Sequence, residues 1–494
     1  MEKYYNVING ERGESCAGER FEDRNPANWD EVIGTFPKSN ADDVNAAVES
    51  AQSAFDDWRL VPAPKRGEII KKVGDILTER KEEIARLMTR EMGKILDETR
   101  GDMQEGIDTA YYAASEGRRL FGHNAPSELP DKMNISFRQP VGVAGIITPW
   151  NFPMAIPTWK IFPALVCGNC VVFKPASDTP ATAAKFVDIL LEAGIPPKVI
   201  NIVHGTGNGV GIPIVNHPDI DLVSFTGSSM VGKTIAEAGG RQLKRVSLEL
   251  GGKNAQIVMD DAYLDLALDG VLWGAFGTTG QRCTATSRLI LHEAIFDEFM
   301  DKLISRTKAL KLGSGLNEEV QVGPLINEGQ RETVEKYVEI GKKEGAKLLC
   351  GGERETDGEC AKGFFYKPTI FVDVTPDMTI AQEEIFGPVL SVIKIKSLDE
   401  AITATNNSIY GLSSSIYTQD VNAAFRAMRD IEAGITYING PTIGAECHMP
   451  FGGVKETGNG HREGGWEVYE FFSETKTVYV DFSGKLQRAQ IDNR

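Results

Sequence analysis

The run VGVAGIITPWNFP, residues 141–153, decides how the chain folds. From Val141 to Ile147 it carries no polar side chain, and the turn TPWNFP follows at once. A half-buried strand would alternate apolar with polar residues. An unbroken apolar run this short, closed by a turn, reads as a strand covered on both faces. Similar runs recur downstream: CVVFK from 170, VINIV from 199, DLVSFTG from 221 and NAQIVM from 254. Helical patterns over 181–193 and 230–238 lie between them. Strands of this kind separated by helices indicate a parallel sheet between layers of helix.

Working outward, the alternation continues toward the carboxyl end. A helix is expected over 264–276, a strand over 287–291, a helix over 295–310, a strand over 390–395 and a helix over 423–431. The chain therefore reads as two α/β domains with a boundary near Gly251 and Gly252. Toward the amino end the texture is helical. Asn40 is a plausible N-cap, followed by Val44, Val48, Ala51, Phe55 and Trp58 on one face. A second helix is expected over 66–92, stopped by Gly93, and a third over 107–120. The tail TVYVDFSG, residues 477–484, alternates and reads as a strand added to another sheet or subunit.

Composition bounds the function. The 494 residues are 41% apolar and 25% charged, with a formal net charge of −17. That charge disfavours nucleic acid and anionic membrane as partners. The longest apolar run, IFPALVCGNCVVF from 161, is too short and too interrupted to cross a bilayer. No apolar signal region is seen in MEKYYNVINGERGES, and the seven cysteines are scattered and odd in number. Together these point to a reducing cytoplasmic setting. Cys167 and Cys170 form a CxxC, but no second pair follows and the run is apolar, so a core role is expected. The six histidines show no ligand spacing, and no metal is expected.

Several stretches carry chemistry, each with an ordinary reading beside it. In FGTTGQRCTATSRL, residues 276–289, Cys283 stands in a polar, glycine-marked turn. It is either a nucleophile or a core-edge thiol, and Arg282 would favour its thiolate if it pointed inward. Asn151, between two aromatics after a strand, is an oxyanion donor or a turn residue. Glu249 in LELGGKN is a general base, if burial raises its pKa, or a rim carboxylate. Lys174 ends a strand, where ligands of parallel sheets sit, or simply meets solvent. Gly227 and Gly232 open a helix whose N–H groups suit a phosphate, although the GxGxxG spacing is absent.

Taken together, PWNFP, FKPAS, FTGS, LELGGKN, GQRC, EEIFGPV and PFGGVKETGNG resemble the aldehyde dehydrogenase superfamily, from about residue 6 to 482. The resemblance implies a Rossmann-like cofactor domain, an α/β catalytic domain and a small β oligomerisation element in a homodimer or homotetramer. It divides the chain into a dinucleotide-binding domain over 1–120 and 141–251, to which 446–475 returns, a catalytic domain over 252–445, and an oligomerisation element over 121–140 and 476–494. It implies Cys283 as nucleophile, Glu249 as the base that activates water, and Asn151 with the Cys283 N–H as oxyanion donors. Lys174 and Glu384 would hold ribose hydroxyls of NAD or NADP, Gly227 and Ser228 the pyrophosphate, and Phe386 would pack near the nicotinamide. Thr148, Pro149, Trp150, Ser177, Gly207, Phe225 and Gly251 would complete the cofactor contacts. Relatives that prefer NAD often carry a glutamate where this chain has Ser177, so NADP use is open.

For the substrate, Arg282 could hold a distal carboxylate. The loop NGPTIGAECHMPFGG, residues 439–453, resembles the carboxylate-anchoring loop of antiquitin-type α-aminoadipic semialdehyde dehydrogenases, with Gly444 and Ala445 offering free N–H groups. GQRCTATSR and TIAQEEIFGPV resemble α-ketoglutaric semialdehyde enzymes. A carboxylate-bearing semialdehyde is therefore expected, contacted by Arg282, Thr284, Trp159, Gly444, Ala445 and Phe451. The alternative is a plain aliphatic or aromatic aldehyde lined by Trp150, Phe152, Trp159 and Phe451. A cysteine-dependent thioesterase would need a histidine base that no motif marks. A non-catalytic protein on the same scaffold, or a CoA-acylating enzyme, fits less well with Cys283, Glu249 and Asn151 all retained.

Overall fold

The computed structural model describes residues 2–492 and contains two seven-stranded sheets. The first runs in the order Arg245–Glu249, Leu222–Thr226, Val143–Ile147, Cys170–Lys174, Ile200–Ile202, Asn6–Ile8 and Glu11–Gly13. Its first five strands are parallel, and the amino-terminal hairpin closes one edge antiparallel. Val143–Ile147 and Cys170–Lys174 are buried at every position, because helices cover both faces. From Val143–Ile147 the chain builds outward on one side, then returns to add Leu222–Thr226 on the other. That reversal opens a crevice at the carboxyl ends of the central strands, where α/β sheets take ligands.

The chain leaves the first sheet after Glu249 and enters the second at Asn254. The second runs in the order Lys347–Cys350, Thr369–Val372, Val389–Ile395, Thr286–His292, Asn254–Val258, Ser413–Tyr417 and Ile435–Ile438. It is parallel except at the Lys347–Cys350 edge. The expected tail strand is Ser473–Asp481. It pairs antiparallel with Lys132–Pro140 along its whole length in a separate three-stranded sheet.

Three expectations need correction. The span 66–92 is two helices, Ala63–Glu79 and Lys81–Met92, because Arg80 leaves helical geometry at φ −102° and ψ 13°. The third helix is Leu96–Glu116 rather than 107–120. Its first turns hide their periodicity because carboxylates, not apolar side chains, occupy the inward face: Glu98, Asp102 and Glu105 all line a cavity. The amino-terminal 37 residues, where a helical texture is expected, hold the short strands Asn6–Ile8, Arg20–Arg24 and Val32–Pro37. None of them alternates apolar with polar residues, so no two-residue period shows. Asn40 caps Ala41–Leu60 as expected, accepting from Asp42 and Asp43 while Asp43 accepts from the Asn40 N–H. Cys167 and Cys170 are buried in the first core, where burial pushes each thiol up to about 12.

Candidate active site

The carboxyl ends of the first sheet meet the segments that lead into strands of the second. Thr148, Pro149 and Trp150 follow Val143–Ile147, Lys174 ends its strand, Gly227 and Ser228 follow Leu222–Thr226, and Glu249 ends Arg245–Glu249. Facing them, Cys283 and Thr284 precede Thr286–His292, and Glu384 and Phe386 precede Val389–Ile395. A cavity of about 300 Å³ lies at this meeting. Its wall includes Cys283 and Glu249, and also Arg282, Thr284, Trp159, Gly444, Ala445 and Phe451.

Cys283 is half-buried. Burial, then the nearby Glu384 and Glu249, push its thiol up to about 12, while the backbone N–H groups of Thr284 and Cys283 act the other way. Arg282 interacts electrostatically with the Cys283 sulfur, and its charge is shared with Glu98 and Asp102. Its Nη2 donates to Glu98 at 3.2 Å, its Nε donates to Thr278 Oγ1 at 2.8 Å, and its plane lies 4.7 Å from the Trp273 ring. The positive charge is drawn toward Glu98. Nη1 makes no hydrogen bond among the described residues, and Arg282 lines the cavity.

Glu249 is 3% exposed, and neither carboxylate oxygen has a hydrogen-bond partner among the described residues. Burial and the charge of Glu463 raise its pKa well above the usual range, against the opposing pull of Lys160 and Arg462. Glu463 is fixed by Lys160 Nζ at 2.6 Å and by paired backbone bonds with Phe451. Asn151 is 3% exposed; one Nδ2 hydrogen goes to the Gln281 carbonyl at 3.2 Å, which steadies the amide beside the loop of Cys283.

Aromatic rings shape the rest. Trp159 and Phe451 lie 4.9 Å apart, and Trp159 Nε1 donates to Glu105 at 3.0 Å. Burial raises the Glu105 carboxyl to about 7. Thr442 Oγ1 donates to the Thr284 carbonyl at 2.7 Å, which ties the loop of Gly444 and Ala445 to the strand after Cys283. Gly444 sits at φ +114°, a conformation that favours glycine.

The crevice beside the cavity holds the residues expected at a dinucleotide. Lys174 is 5% exposed, and its Nζ donates to the Pro175 carbonyl at 2.8 Å. Burial lowers it to about 8. Glu384 accepts from the Gly252 N–H at 3.1 Å, and burial raises its carboxyl to about 7. Gly251 gives Glu384 room, since a Cβ there would collide with the carboxylate. Trp150 and Phe386 meet edge to face at 5.3 Å. Ser228 caps the helix Ser229–Gln242, and the Gly227 N–H donates to the Glu249 carbonyl at 3.0 Å. Gly207 begins the turn Gly207–Gly211, which lies over the Lys174 stem. Ser177 Oγ donates to the Gly205 carbonyl at 2.9 Å. Phe225 is a buried strand residue of the first core, and its ring lies against Gly227.

Sequence reasoning missed Glu98, Asp102 and Glu105, together with Lys160 and Glu463. The signal for the first three was carboxylates at i, i+4 and i+7 opposite Met103, Ile107 and Ala110 on one helix. Lys160 and Glu463 are 303 residues apart, and nothing local links them.

The aldehyde dehydrogenase family model matches residues 13–478. This chain belongs to the aldehyde dehydrogenase family. It is 44% identical over 477 residues to an alpha-ketoglutaric semialdehyde dehydrogenase of Bacillus subtilis strain 168, covering 97% of this chain and 98% of that one. An NAD-dependent aldehyde dehydrogenase from Sinorhizobium meliloti superposes with a TM-score of 0.95 at 38% identity, covering 99% of this chain and 96% of that one. Betaine aldehyde dehydrogenase from Staphylococcus aureus in complex with NAD+ superposes with a TM-score of 0.95 at 35% identity, over 98% and 95% of the two chains. An aldehyde dehydrogenase must bring a nucleophile, an oxyanion donor and a base to one carbonyl, since an aldehyde releases hydride readily only after an adduct forms.

Proposed function

We propose that this enzyme oxidises a carboxylate-bearing semialdehyde to the acid with NAD, through a thioester on Cys283. The carrying observation is the single cavity lined by Cys283, Arg282 and Glu249, whose carboxylate oxygens have no hydrogen-bond partner among the described residues. Cys283 Sγ adds to the aldehyde carbon as the thiol proton passes to solvent, and the carbonyl oxygen becomes an alkoxide. The second Asn151 Nδ2 hydrogen and the Cys283 N–H stabilise that charge; losing one such donor raises a barrier by about 3 kcal/mol. The chemistry that a bound dinucleotide supplies is hydride acceptance. Glu249 in its carboxylate form then takes a proton from water, the hydroxide adds to the thioester, and the C–S bond breaks to release the acid and restore the thiol.

The crevice suits a dinucleotide. Lys174 is a buried cation whose Nζ has one backbone acceptor and further hydrogens for ribose hydroxyls. The helix start at Ser228 offers N–H groups to a pyrophosphate. Ser177 is tied to Gly205 and carries no charge toward a 2′-phosphate, so NADP is a second cofactor to assay. The two large sheets are the cofactor and catalytic domains, and the sheet of Lys132–Pro140 and Ser473–Asp481 joins copies into a homodimer or homotetramer. Seven free thiols suit a reducing cytoplasm. Among the described residues no helix is long and apolar enough to cross a membrane.

The substrate reading rests on Arg282 and on the N–H groups near Gly444 and Ala445, with the B. subtilis relative in support. The aromatic wall of Phe152, Trp159, Trp273 and Phe451 favours neutral aldehydes as a second reading. Steady-state kinetics with a C5 semialdehyde acid and with a neutral aldehyde of equal length, each with NAD and NADP, decide between them. Arg282→Ala is expected to raise KM for the acid about 10-fold or more, the worth of a charge-assisted hydrogen bond, and to leave KM for the neutral aldehyde within about threefold. An equal change in both KM values overturns the carboxylate assignment.

A further inference from the structure

The loop that carries Cys283 is held in a conformation its own residues disfavour. Thr278 and Thr279 lie at φ 51° and 56°, in the left-handed region that β-branched side chains rarely enter. Such strain persists only where surrounding groups impose it. Gln281 Nε2 donates to the Thr278 and Pro324 carbonyls, and Thr279 Oγ1 donates to the Gly323 carbonyl at 2.9 Å. The strongest restraint comes from elsewhere in the chain. Glu98, buried on the helix Leu96–Glu116, accepts the Thr278 N–H on Oε1 at 2.6 Å and accepts Arg282 Nη2 on the same oxygen at 3.2 Å. Arg282 Nε closes the ring by donating to Thr278 Oγ1 at 2.8 Å. One carboxylate therefore grips the loop at its strained residue and at the residue before the thiol.

We propose that Glu98 is a positioning residue, holding Thr278 and Arg282 so that the loop presents the Cys283 thiol to the cavity. It touches no reacting atom and acts through the loop. The proposal rests on the reading of Cys283 as nucleophile, so its test includes a measurement that does not depend on turnover. Hydrogen exchange of the amides over 277–283 is compared in the full-length wild type, E98Q, E98A and E98D, alongside kcat and KM for a neutral aldehyde. Loss of the acceptor in E98A is expected to speed exchange at least fivefold and to lower kcat at least 10-fold with KM within threefold. E98Q keeps an acceptor oxygen at the same reach, and is expected to restore both values to within threefold of wild type. E98D keeps the charge but shortens the reach, and is expected to behave as E98A does; it serves if E98A does not fold. Unchanged exchange in E98A or E98D, or E98Q as impaired as E98A, overturns the proposal. Full activity in Cys283→Ser would overturn the nucleophile reading instead, and would leave the exchange result standing.

Discussion

At the residue scale, burial shifts both Cys283 and Glu249 toward their neutral forms. The thiol stands at about 12 and the carboxyl well above its usual range. A raised carboxyl is protonated at low pH and takes a proton only above its shifted pKa. Turnover is therefore expected to climb with pH through that raised value, well above the ordinary carboxylate range, in a profile of kcat against pH. Glu249→Gln should remove that limb while leaving a single-turnover burst of reduced cofactor, because acyl transfer to Cys283 precedes the water step. A mutant that still turns over with the wild-type profile would exclude Glu249 as the base. These residues were legible as candidates because their side-chain types stand next to glycines and aromatics at strand ends, and the family resemblance supplied their roles. The partners that tune them were not: Glu463 reaches Lys160 only through folding.

At the scale of elements, the helix Leu96–Glu116 turned out to be the organiser of the cavity. Its inward face carries Glu98 against Arg282, Asp102 against Lys94, and Glu105 against Trp159. Lys94 and Asp102 form an ion pair with fully buried side chains at 2.9 Å; Lys94 also lies 3.6 Å from the Phe152 ring, and Asp102 accepts the Ala155 N–H at 2.7 Å. The pair thus steadies the turn that holds Asn151. Replacing Lys94 with methionine keeps the volume but leaves Asp102 buried without its cation. Breaking such a pair typically costs about 3–5 kcal/mol. Urea denaturation of Lys94→Met is expected to show a loss of that size, and the double change Lys94→Met, Asp102→Asn should regain part of it. Periodicity analysis started this helix eleven residues late, because it counts apolar side chains and this face is built of paired charges.

At the scale of the whole molecule, Ser473–Asp481 is the edge of its sheet among the described residues, with Lys132–Pro140 on one side and no strand on the other. Phe137, Tyr479 and Phe482 are 43%, 66% and 63% exposed, which leaves large apolar side chains beside an open edge. A second copy would cover both. Introducing charge with Tyr479→Asp and Phe137→Asp is expected to shift the protein toward monomer in sedimentation velocity, with the fold intact by circular dichroism. An unchanged sedimentation coefficient would place the interface elsewhere.

Local chemistry was enough to announce the parallel sheets and to mark the glycine turn at Gly227, Cys283, Glu249 and Asn151 as candidates, each with an ordinary reading beside it. The roles of the three side chains came from the resemblance of seven motifs to one family. The sign of the charge felt by Cys283, the capture of Arg282 by Glu98, and the relation of Glu249 to Glu463 emerged from packing alone. Electrostatic influence acts through space, and residues hundreds of positions apart become neighbours only when the two sheets close on one another.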